Sequence, residues 1–157
     1  MQTLSIRVAT PTDIPALTHL WYEKTVLQHH ADRRFTLAPD GQRQWSQAAH
    51  VWLADPQVNV FIAETDEAVV GYLVARVQPS PPGLLPERFG VVTELAVDAH
   101  GYHGGVGRGL YEAACDWLTM QGVRHVYVDV LRRHAVEQAF WRALGAKEWQ
   151  DRLWMKL

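Results

Sequence analysis

The sequence predicts a mixed α+β fold, α/β in content, with a central, mostly antiparallel sheet and the order β-α-α-β-β-β-α-β-α-β. Three observations predict it. The apolar period is helical over residues 14–53 and changes to alternation and apolar runs over 58–97. Two of those strands are separated by only a short turn, which forces antiparallel pairing. Further on, helical stretches stand between strands, which is how parallel crossovers are made.

Each element has a local reason. Leu4–Val8 alternates apolar and polar residues, as a half-buried strand does. Thr10-Pro-Thr-Asp13 supplies a hydroxyl cap, a first-turn proline and an acid for the positive helix end. Ile14, Leu17, Leu20 and Trp21 then recur at helical spacing until about His29-His30, and residues 32–38 read as a loop. Pro39-Asp-Gly41 opens a second helix with Trp45, Ala48, Ala49, Trp52 and Leu53 on one side, ended by Asp55-Pro56. Val58–Glu64 and Ala68–Val77 form a hairpin across Thr65-Asp-Glu67. The proline-rich stretch 78–86 cannot lie inside a sheet. Gly90–Val97 is the next strand, a helix runs from about Gly105 to Met120, and Gly122 follows it at a C-cap position. His125–Leu131 is a strand, Ala135–Leu144 a helix stopped by Gly145, and Glu148–Met155 a terminal strand.

The chain has 157 residues, and no linker or repeat interrupts them, so 1–157 reads as a single domain. A formal net charge of -2 makes the chain a poor candidate for a general nucleic-acid binder, which needs a basic face, so no nucleic-acid partner is expected. One cysteine, Cys115, excludes a disulfide framework and a cysteine-based zinc site. The 8 histidines have no metal-ligand spacing, so no metal is expected. No apolar run approaches the ~20 residues of a membrane span. The first residues lack an apolar secretion signal, so the expected compartment is the cytoplasm.

Residues 94–110 carry the chemistry. They place a strand, a glycine-rich turn and a helix start in succession. Glycines let backbone N–H groups converge, and the helix start adds partial positive charge, so the segment is suited to a phosphate or pyrophosphate. It is not a Walker A loop, because Gly107 is followed by Arg108-Gly109 rather than Lys-Ser/Thr. It is not a Rossmann fingerprint, because it lies late in the chain behind a hairpin.

Here the sequence resembles the GNAT superfamily of acyl-CoA-dependent N-acetyltransferases. The likeness is most specific in Leu95-Ala-Val97 and in Tyr102-His-Gly-Gly-Val-Gly-Arg108, where Gly105 and Gly107 fit the family's two glycine positions and Tyr102 replaces its Gln/Arg. Phe140-Trp-Arg-Ala-Leu-Gly145 resembles its Phe-Tyr-x-x-Leu-Gly-Phe signature. The resemblance implies that Leu95, Ala96 and Val97 hold the pantetheine of acetyl-CoA. It implies that backbone amides around Tyr102, His103, Gly104, Gly105, Val106, Gly107 and Arg108 hold its pyrophosphate. It implies acetyl transfer to a primary amine by direct attack, with a small-molecule or peptide acceptor. The alternative is an acyl-CoA-binding sensor without turnover, motivated by Tyr102 and by Trp141 in place of the family's acidic tyrosine.

Glu94 is the leading base: a carboxylate in an apolar strand is costly unless it is exposed or used, and on a solvated face it would be merely polar. Regular alternation puts Val92, Glu94 and Ala96 on one face. Asp129, with Tyr127 on its face, is the second candidate. His134 stands where the family has an asparagine and can serve as proton donor to the departing thiolate, as can water. Cys115 reads as a packing residue. Trp21, Tyr22, Phe35 and Trp45 belong to the elements that wall the family's acceptor pocket. The Trp149–Met155 strand would end a sheet edge, which a homodimer would cover.

Overall fold

The computed structural model describes residues 3–100 and 104–157. Strands β1 (Ser5–Val8), β2 (Val58–Glu64), β3 (Val69–Pro79) and β4 (Arg88–Val97) pair antiparallel in chain order, and β5 (Val126–Val128) joins β4 in parallel. Helices α1 (Ile14–Ala31) and α2 (Gly41–Ala54) lie between β1 and β2, α3 (Val106–Met120) between β4 and β5, and α4 (Ala135–Ala143) after β5. Among the described residues no helix is long and apolar enough to cross a membrane.

The two faces of the sheet bury two cores, as the period of the strands requires. On one face Ile14, Leu17, Leu20, Trp45 and Ala49 of α1 and α2 pack on Val58, Val60, Ile62, Tyr72 and Val74. On the other, Val106, Leu110 and Ala114 of α3 and Trp141 of α4 pack on Phe61, Ala63, Leu73, Ala75 and Val92.

Gln78 and Pro79, expected outside the sheet, close β3 opposite Phe89 and Arg88, and three further features differ from the sequence expectation. The register between β3 and β4 shifts: Val74 pairs Glu94, but Ala75 pairs Val92, so Thr93 is an extra residue. An extra residue exchanges the faces that follow it. Val92 therefore joins the α3 core while Ala96 joins the α1–α2 core, rather than both sharing one face with Glu94. Second, β5 is shorter than residues 125–131, because its ladder with β4 ends at Val92–Val128. Third, the expected strand Glu148–Met155 is irregular. Its apolar alternation finds no ladder. Side chains hold the segment instead, with Trp149 5.3 Å from Phe89 and 5.7 Å from Tyr127, and with the pairs Arg152–Asp129 and Arg132–Asp151.

The start of α1 is pinned to the sheet by Arg7. Its guanidinium donates to both Asp13 oxygens at 2.9 Å, and to the Glu64 oxygens at 2.9 and 3.0 Å. Asp13 also accepts the Thr10 N–H at 2.7 Å, which closes the turn before the helix. Donation from Arg7 holds the Asp13 and Glu64 carboxyls below the usual range. Carboxyls that resist protonation in the fold add stability above about pH 5, and that contribution is lost as pH falls through and below about 4. Unfolding of the wild type should therefore take up as many as about two extra protons between about pH 5 and 2, one per carboxyl. Arg7→Gln should flatten this slope, and the two stability curves should converge at the acid end. Urea unfolding across that range checks it, and parallel slopes would contradict it.

Candidate functional site

β4 leads the site. Beyond Val92–Val128 it continues to Val97 with no β5 partner, so the outer-edge backbone groups of residues 93–97 are left without a ladder. The gap between the diverging strands is a cleft. Val92, Thr93, Glu94 and Leu95 line it from β4, Val128 and Asp129 from the β5 side, Lys24 and Gln28 from α1, and Glu137 and Trp141 from α4.

Just past β4 the chain enters α3. Gly105 is the helix N-cap and has φ +83°, a left-handed conformation that side chains disfavour, and the space beside it is open. The first helical bond runs from the Gly109 N–H to the Gly105 carbonyl at 2.9 Å. The N–H groups of Val106, Gly107 and Arg108 thus precede the helical ladder and point out of its positive end. Gly107 is needed for packing: a β-carbon there would come within 2.9 Å of the Phe140 ring, so its absence lets α4 close on α3. Arg108 is exposed, with Glu112 3.9 Å away. Gly104 lies in the turn. Tyr102 and His103, expected in the same cradle, lie outside the described residues. An anionic diphosphate fits this donor set, and an extended amide-bearing arm fits the open β4 edge at Leu95, Ala96 and Val97.

Glu94 is half-buried in the cleft. The Trp45 Nε1–H donates to Oε1 and Oε2, both at 3.0 Å, and the Tyr72 hydroxyl donates to Oε2 at 2.8 Å. Burial, together with the neighbouring Glu94 carboxylate, keeps the Tyr72 phenol far above the usual tyrosine range, so it stays a neutral donor. The sequence expectation omits Tyr72 and gives Trp45 only as a pocket wall. The signal that could have found Tyr72 is a tyrosine in the middle of an apolar strand, since a buried phenol needs an acceptor.

The other candidates separate. Asp129 reaches the cleft, but it is exposed and paired with Arg152 at 2.6 Å. His134 is not among the residues lining the cleft. It caps α4, its Nδ1 accepting the Glu137 N–H at 3.1 Å, which leaves Nε2 to carry the proton of a neutral ring. Trp141 lines the cleft with its ring wedged between Phe140 (5.0 Å) and Tyr111 (5.4 Å). Burial raises the Cys115 thiol above its usual range, against a hydrogen bond from Tyr111, which disfavours a thiolate nucleophile.

Comparison with known proteins bears on the family and the fold. The sequence pattern of the acetyltransferase (GNAT) family matches residues 17–146. No curated protein matches the chain in sequence. Among solved structures, a mutant of the BH1408 protein from Bacillus halodurans is similar, with TM-score 0.84 and 18% identity over 98% of this chain and 99% of that one. So is aminoglycoside N-acetyltransferase AAC(6')-Iy in complex with CoA, with TM-score 0.77 and 18% identity over 100% and 96%. The aminoglycoside antibiotic 6'-N-acetyltransferase AAC(6')-IG from Acinetobacter haemolyticus gives TM-score 0.78 and 18% identity over 98% and 97%. At these identities the likeness establishes the fold.

Gly107→Ala should lower stability by about 1–2 kcal/mol, because overpacking against Phe140 outweighs the helix preference for alanine. Phe140→Leu in the same chain should return part of it. Denaturant unfolding of the double-mutant cycle checks the coupling, and additive losses would contradict it.

Proposed function

This chain belongs to the GNAT family of acetyltransferases, and on that premise we propose that it transfers an acetyl group from acetyl-CoA to a primary amine. The observation that carries the reading is the splayed β4–β5 cleft with a carboxylate inside it, formed by the strand that precedes the α3 start in the chain. In this reading the amides of Val106, Gly107 and Arg108 take the pyrophosphate, Arg108 adds charge, and the open edge at Leu95, Ala96 and Val97 takes the pantetheine. The reading puts the enzyme in the cytoplasm, as a single domain, with no metal.

The acceptor nitrogen attacks the thioester carbonyl carbon, a C–N bond forms, and the C–S bond breaks. The nitrogen's proton passes to Glu94, directly or through one water, and the sulfur leaves as the CoA thiolate. No covalent enzyme intermediate is needed. Trp141 is no practical acid. A thiol with a pKa near 8.5 needs little help at neutral pH, so water protonates the thiolate and His134 serves as a helix cap. The acceptor is a small-molecule or peptide amine.

Release of free thiol from acetyl-CoA, measured with spermidine, kanamycin, lysine and a lysine-containing peptide, tests the reaction. At least one of these should be acetylated. Glu94→Gln should lower kcat/KM by about 10²–10⁴-fold and leave acetyl-CoA affinity nearly unchanged by calorimetry. Tight acetyl-CoA binding with no turnover of any amine would favour the sensor reading instead. Absence of acetyl-CoA binding would defeat both.

A further inference from the structure

An ionised carboxylate offers about four acceptor positions. Glu94 has three occupied: Oε2 takes Tyr72 and Trp45, and Oε1 takes Trp45 alone. One position, on Oε1, is left. The donors cannot drift. Tyr72 is 0% exposed at the centre of β3, and Trp45 is 6% exposed. The Trp45 ring is boxed by Trp21 stacked at 5.9 Å, Trp52 edge-on at 5.7 Å and Tyr72 at 5.6 Å. Buried indole and phenol donors require an acceptor, and these two share one. The same contacts that satisfy the core therefore fix the plane of the carboxylate.

We propose that Trp45 and Tyr72 are positioning residues of the acetyl transfer, holding Glu94 so that the free position of Oε1 faces the cleft and receives the amine's proton. This rests on the reading of Glu94 as the base. Both donors are neutral, so they orient the carboxylate without cancelling its charge. The charged and titratable groups that face it are Lys24 from α1, Asp129 after β5, Glu137 from α4 and Tyr72 from β3, while α2 presents the Trp45 indole. The bulge at Thr93 makes the arrangement possible, because it brings Glu94 to the Trp45 and Tyr72 face while Val92 stays on the other.

Trp45→Phe and Tyr72→Phe each keep a ring and delete one donor. With whichever of the four amines the wild type acetylates fastest, each variant should lose about tenfold in kcat at unchanged acetyl-CoA affinity. The loss should fall on kcat with the KM for the amine nearly unchanged, and should be larger in the double variant. Wild-type kcat in a folded variant would overturn the proposal. Should Trp45→Phe unfold, Tyr72→Phe carries the same test with the loss of one oxygen. Glu94→Gln separates the two levels. If it is inactive while both phenylalanine variants keep the wild-type kcat, the positioning role alone fails. If it keeps wild-type activity, or if no amine is acetylated by the wild type, the base reading fails and the positioning role with it.

Discussion

The arrangement depends on where β4 loses its neighbour. Parallel pairing with β5 stops at Val92–Val128, and β4 runs on to Val97 with only β3 beside it. A strand edge inside a folded chain presents hydrogen-bonding groups that something must satisfy. Here the edge opens onto a cleft, and the next element is α3, whose first amides precede its helical ladder. The open edge and the helix start thus belong to successive elements of the chain. A single extended ligand with a diphosphate at one end and amides along its length can satisfy both.

The bulge at Thr93 supplies the second half of the site. Without an extra residue, Val92 and Glu94 would share a face, and one of them would be misplaced: a valine out of the α3 core or a carboxylate in it. With it, Val92 packs under α3 while Glu94 meets two neutral donors on the α1–α2 side. Burying a carboxylate among apolar side chains is costly unless it is hydrogen-bonded. Trp45 and Tyr72 meet that requirement and leave the cleft side of Oε1 open.

Much of this is legible in the sequence. The β2–β3 hairpin, the four helices and the glycine-rich approach to α3 follow from period, turn residues and caps. Glu94 stands out as a carboxylate in an apolar strand. What is not legible depends on long-range pairing. A bulge is a mismatch of two strands, and neither strand alone carries it, so regular alternation puts Val92 on the wrong face. The Trp45–Glu94 bond joins residues 49 positions apart. Gly107 looks like a glycine kept for a ligand, whereas Phe140 from a distant helix fills the space. His134 looks like a free imidazole, but a helix start can use any nearby acceptor, and Nδ1 serves. The alternation of Glu148–Met155 is real, but alternation makes a strand only where a ladder is within reach.

In the proposed reading acetyl-CoA lies along the open β4 edge and ends on the α3 amides. Amide hydrogen exchange with and without acetyl-CoA reports on this residue by residue and needs no acceptor. New protection should be confined to residues 95–97 and 106–108, with the β1–β2 amides unchanged. Binding that left those two segments exchanging as before, or that protected a different face, would contradict it.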